Sequence, residues 1–302
     1  MKRFLTDMDL AILSHLGKFT FLTVRQLLAI GVSRSARSLA HQLRTLTTFP
    51  TSAKPVIGVL KYPPEVSLGR VEHLYFLTPR GVELLCEANS EIDVSRFHLP
   101  KRPQPIFRDY HHRKMTVDAH ILISNFLKHH HPALDVDFWD TYFQKSGANR
   151  SKKSEPLHAK TRVALPDDRY LIPDVVFHLR KKESEQAGLL IALEVSRGKD
   201  SKRLIRQLYR HLEALKRCAL GLKYQLMIGH KVLVVCEQNS LLQGIWKRLP
   251  AYARLVSFAN FFLFATWDEF QNDPATCWQI FGETGRFNFL TGKKASDQRR
   301  AS

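Results

Sequence analysis

Three leucines set the first pattern. In "SRSARSLAHQLRTLTT", Leu39, Leu43 and Leu46 fall at i, i+4 and i+7, one apolar stripe of a helix. Arg34, Arg37, Ser38, His41, Arg44 and Thr45 occupy the opposite side. Two shorter helices precede it. Thr6 with Asp9 three residues on has the spacing of a capping box ahead of "LAILSHLGKF", and Thr23 with Gln26 repeats it ahead of "LLAIG". Gly31 is placed to take the left-handed position that ends the second helix. Two β-rich runs follow, "VIGVLKY" and "EHLYFL", joined by "PPEVSLGRV". Thr78 and Pro79 then form the N-cap and first position of a fourth helix, "LTPRGVELLCEA".

Two short helices, a third with a basic polar face and a hairpin predict a winged helix-turn-helix over residues 1–88. Its expected duplex-DNA contacts are Arg34, Arg37, His41 and Arg44 on the third helix, with Lys61 and Arg70 on the wing. A small helical adaptor that binds protein is the competing reading; the arginines favour DNA.

Residues 89–107, including "RFHLPKRPQPIF", are proline-rich and irregular and read as a linker. Helical spacing resumes at "DYHHRKMTVDAHILISNFLKHHHP", where Met115, Ala119, Leu122 and Phe126 make the expected apolar face and Pro132 the stop. Then come a strand, "LDVDFWDTYF", and a basic stretch, "QKSGANRSKKSEPLHAKTR", expected to be a mobile arm. The strands "LIPDVVFHL" and "LLIALEVS" are expected to pair through "RKKESEQAG". A helix over Ser201–Cys218, a strand "KVLVVC", a helix "LLQGIWKRL" and a final strand-like run "FFLFATWDEF" complete the pattern. The order predicts an α/β domain over 108–290, a mixed sheet covered on both faces, with 291–302 as a basic flexible tail.

Charge sharpens this picture. The 302 residues carry 46 Lys and Arg against 28 Asp and Glu, a net +18, which points to a polyanionic partner. No apolar run is long enough to span a bilayer, the N-terminus has no secretory-signal pattern, and the four scattered cysteines form no CxxC pair. These features suit a cytoplasmic protein without a disulfide framework or structural zinc.

The chemistry concentrates between Leu171 and Leu215. Asp174 opens one strand and Glu194 closes its expected antiparallel neighbour, so a hairpin brings the two acids side by side. Converging carboxylates are what a hard cation such as Mg²⁺ or Mn²⁺ needs, and such an ion polarises a phosphodiester and acidifies the attacking water. A lysine two residues after the second acid usually completes a site of this kind; here that residue is Ser196, and Lys199 or Lys202, reaching in from the turn or the helix start, is the candidate to replace it. Pro-Asp also simply starts strands, and Glu194 could serve only as an ion-pair partner of Arg197 or a helix lysine. The helix that follows is basic: eight Lys and Arg lie between Arg197 and Arg217 against two acids, with Lys202, Arg203 and Arg206 as expected phosphate contacts. The "HHH" before Pro132 reads as an exposed helix end, and the four tryptophans as core anchors.

"IPDVVF", "LEVSRGK" and "RLIRQLYRHL" resemble the PD-(D/E)xK restriction-endonuclease-like core. With "LTDMDLAILSHLGKFTFLTVRQLLAIG" and "YFLTPRGVELL", the chain is similar over about residues 4–290 to the replication-relaxation family of mobile-element proteins. The resemblance implies a DNA-binding protein of a plasmid or integrative element that assists replication, relaxation or transfer, working beside a relaxase or similar partner. It implies Asp174 and Glu194 as the metal-site acids, with Gln207 and Tyr209 on the helix lining the site. Members of the family tend to carry an acid at the Ser196 position in an E-x-D-R-G-like turn; Arg197 and Gly198 match that turn, Ser196 and Lys199 depart from it. Three functions stay open: a DNA binder with an inactive nuclease-like domain, an active Mg²⁺-dependent endonuclease, and a transcriptional regulator whose second domain senses or forms a homodimer.

Overall fold

The computed structural model describes residues 5–49, 54–62, 71–101, 103, 107–147, 156–182 and 188–298. The chain forms two compact units, Met1–Ile121 and Leu122–Ser302.

In the first unit, α1 (Asp7–Phe19), α2 (Val24–Ala29) and α3 (Ala36–Thr48) are followed by the hairpin β1 (Ile57–Leu60) and β2 (Leu74–Leu77), then α4 (Pro79–Ala88). Both expected capping boxes form. Thr78 caps α4 with Pro79 in its first turn, and Gly31 takes a φ of +90°. Leu22, between α1 and α2, makes an antiparallel bridge to Tyr75, adding a third short line of pairing to the hairpin. Leu39, Leu43 and Leu46 are wholly buried, at roughly 1.5–3 kcal/mol each. Asp9 does double duty: its carboxylate closes the α1 box and accepts from Gln42 on α3, which fixes the roll of the basic helix.

The compact unit runs past the expected 89–107 linker into α5 (Phe107–His130). Gln26 explains part of this. Its Nε2 donates to Asp118 Oδ1 at 2.7 Å and to the Lys114 carbonyl at 3.2 Å, while its Oε1 accepts from Thr23 N. Tyr62 packs edge-on to Tyr110, and the Arg113 guanidinium lies over Phe21. The α5 face also differs from the expected one: Met115 and Ala119 are buried, but Leu122 and Phe126 only partly, while Ile123 and Leu127 are enclosed.

The second unit centres on a mixed five-stranded sheet, the α/β architecture the pattern predicts. In chain order come β3 (Leu134–Thr141), the two-residue pairs β4 (Lys145–Ser146) with β5 (His158–Ala159) and β6 (Val163–Ala164) with β7 (Tyr170–Leu171), then β8 (Val175–Lys181), β9 (Leu189–Ser196), α6 (Ser201–Lys216), α7 (Ala219–Lys223), β10 (His230–Cys236), α8 (Asn239–Arg248), α9 (Ala253–Val256), β11 (Phe262–Thr266), α10 (Trp267–Asn272) and α11 (Ala295–Gln298). The sheet order is β3-β8-β9-β10-β11; β8 is antiparallel to both neighbours, and β9, β10 and β11 run parallel. Leucines 204, 208, 212 and 215 of α6 pack on Val232, Val234 and Cys236 of β10 together with α8.

Three expectations change here. The run "FFLFATWDEF" divides, because Thr266 and Glu269 form a capping box that ends β11 and starts α10. The basic arm is pinned at its ends by the β4–β5 and β6–β7 pairs; 148–155 lie outside the described residues. Of the expected tail, Phe287 bridges to Lys294 and Ala295 N donates to Arg286 O, so 291–298 is anchored. Among the described residues no helix is long and apolar enough to cross a membrane.

Candidate functional site

The β8–β9 register pairs Val175 with Leu193 and Val176 with Ala192. Continued one step, it sets Asp174 opposite Glu194. Residues directly opposite in an antiparallel pair project to the same face. Asp174 precedes β8 proper and is locked there from two sides: its carbonyl accepts from Tyr142 N at 3.0 Å, and its Oδ2 accepts from Val195 N at 2.7 Å. Glu194 lies two residues inside the end of β9 and is only 6% exposed.

A carboxylate so enclosed needs donors, because an unpaired buried charge costs several kcal/mol. Helix α6 supplies them. Asp200 caps it, accepting from Arg203 N at 2.9 Å, and the leucine stripe fixes its rotation. Gln207 Nε2 then lies 3.2 Å from Glu194 Oε1 and 3.2 Å from the Ile172 carbonyl, so one amide ties β9 and the segment leading into β8 to the helix. His211, one turn further on, places Nε2 2.6 Å from the same Oε1. Its Nδ1 meets Nε2 of His230, the first residue of β10, at 3.3 Å. Burial pushes the His211 imidazole down to about 3, against the opposing pull of Asp174. Burial thus favours the neutral ring at this 2.6 Å contact. Burial also holds His230 well below the ordinary histidine range, with His211 adding to the effect.

The remaining expected site residues sit on the surface. Arg197 pairs with Glu237 at 3.2 Å, and Gly198 N donates to Glu237 Oε2 at 3.3 Å, so the turn after β9 is tied to the end of β10 and Arg197 is not the partner of Glu194. Lys199 is exposed and has no bond to either acid among the described residues. Lys202, Arg203 and Arg206 are exposed on α6 beside Arg210, and none forms an ion pair among the described residues. The same holds for Arg34, Arg37, His41 and Arg44 in the first unit. Lys61 is exposed after β1; Arg70 lies outside the described residues. Tyr209 is half-buried, edge-on to Tyr252.

Magnesium is commonly held by one or two carboxylates, with water and substrate phosphate completing its octahedron. Asp174 and Glu194 fit that donor set, and N–H groups fixing an oxygen of each carboxylate are the supports a ligating acid requires. Among the described residues no group of three or more His, Cys, Asp and Glu is placed to hold a metal ion. When bound, such an ion would polarise a phosphodiester and supply a nucleophilic water. The chain's own part would be to hold the two carboxylates in a fixed orientation at the strand ends.

No protein-family model, curated protein or solved structure matches the chain.

Reading along the sequence passes over His211 and His230. His211 falls among the leucines of α6 and looks like one more core position. The signal that would single it out is its spacing, four residues after Gln207, which sets both polar side chains on one helix edge.

Proposed function

We propose that this chain is a double-stranded-DNA-binding protein that acts at phosphodiester backbones, with the first unit as the duplex reader and the second carrying a nuclease-like acid pair. The observation that carries the reading is the pair of exposed cationic helix faces, on α3 and on α6, whose arginines have no carboxylate partner among the described residues. Charge left uncompensated in this way costs little in water and is strongly rewarded by releasing counterions from DNA. The order helix, bridge, helix, helix, hairpin supports a winged-helix assignment for the first unit. A sheet in chain order with only its second strand reversed supports a restriction-endonuclease-like assignment for the second. The resemblance to replication-relaxation proteins favours a plasmid or integrative element as the setting, with a relaxase among the partners.

Active metal-dependent cleavage is the second reading, favoured by the facing of Asp174 and Glu194. Ser196 at the lysine position weighs against it. Incubation of purified protein with supercoiled plasmid and Mg²⁺ or Mn²⁺ separates the two. Nicking lost in Glu194→Ala supports the enzyme; duplex binding without nicking under either metal leaves the DNA binder; failure to bind duplex at low salt overturns both.

A further inference from the structure

We propose that His211 is the positioning residue of the acid pair and that His230 locks its tautomer, so that a buried chain of two imidazoles aims Glu194. The proposal deepens the metal reading above and rests on it for its functional meaning.

The hydrogen-bond inventory fixes the direction of the chain. The 3.3 Å contact between His211 Nδ1 and His230 Nε2 carries one proton, as does the 2.6 Å contact between His211 Nε2 and Glu194 Oε1. If His211 held its proton on Nδ1, Glu194 would have to donate, and His230 would need its own proton on Nδ1. That atom is buried with no hydrogen-bond partner among the described residues. An orphaned buried N–H is rarer than an orphaned acceptor, so the other order prevails. His230 Nε2–H donates to His211 Nδ1, and His211 Nε2–H donates to Glu194. Gln207 donates to the same oxygen at 3.2 Å. Two donors thus converge on Oε1 and fix the orientation of the carboxylate. His211 is wholly buried and His230 1% exposed, so water does not substitute for either donor.

The arrangement differs from ordinary core packing in its selectivity. A leucine at position 211 would keep an apolar, buried side chain on α6 but would remove the N–H that His211 gives to Oε1. Supports of this kind typically change metal affinity ~10–100-fold when removed.

The test uses the full-length protein. Long-range proton–nitrogen correlation spectra of histidine-labelled protein should show both His211 and His230 as Nε2–H tautomers. The His211 pattern should change in His230→Phe. Calorimetric Mn²⁺ titration should show binding that is lost in Glu194→Ala, weakened roughly tenfold or more in His211→Leu, and restored to within about threefold of wild type in His211→Gln, which keeps an N–H donor. An Nδ1–H tautomer at His211, or equal Mn²⁺ affinity in wild type and His211→Leu, overturns the proposal. Wild type that takes up no Mn²⁺ overturns the metal reading instead, and the tautomer spectra then decide the histidine chain alone.

Discussion

The hydroxyl of Thr161 donates to the carbonyl of Pro173 at 2.7 Å, with Thr161 wholly buried. Pro173 immediately precedes Asp174, so a residue of the expected mobile arm holds the backbone from which the first acid projects. Thr161→Val keeps the shape and removes the donor, leaving a buried carbonyl unpaired. A loss of ~1–3 kcal/mol in urea unfolding is expected. A variant as stable as wild type would show that the carbonyl finds another donor.

The two cationic helices make separable contributions to DNA binding. Arg37→Ala with Arg44→Ala on α3, and Arg203→Ala with Arg206→Ala on α6, should each weaken duplex binding. If the contacts are to phosphate, each pair also lowers the slope of log affinity against log salt by about two. Binding isotherms at several salt concentrations give the slopes. An unchanged slope in one pair removes that helix from the interface.

Acid should unfold this protein sooner than its carboxylates alone would dictate. Burial holds His120, His211 and His230 neutral in the folded state, below the ordinary 6.5. As pH falls through about 6.5 the unfolded chain binds protons that the folded chain refuses. Stability present above that pH is therefore lost progressively on acidification, down to about 3 for His211. The slope is roughly 1.4 kcal/mol per pH unit for each histidine fully excluded from charging. Urea midpoints at pH 7.5 and 5.0 check it; equal midpoints would mean these rings charge without cost.

Local signals in the sequence carried much of this architecture. Thr6 with Asp9 and Thr23 with Gln26 announce helix starts because both partners lie within one turn. Asp174 and Glu194 could be set together because a period-two pattern and a hairpin determine which side chains share a face. What stayed hidden depends on long-range packing. Gln26 shows its capping role but not Asp118, 92 positions away, a contact that lies within the first compact unit beyond the 89–107 stretch. "FFLFATWDEF" reads as one apolar run until the Thr266–Glu269 box divides it. The donors on Glu194 come from a helix and a strand whose approach no spacing along β9 encodes.

The facing of Asp174 and Glu194 depends on strand register, and strand register comes in whole steps. Sliding β9 by a single residue against β8 would not loosen the two acids gradually; it would turn Glu194 to the far side of the sheet, away from Gln207 and His211. This part of the molecule therefore tolerates wide drift in the composition of its strands but not one added or missing residue along them: its competence is counted, not measured.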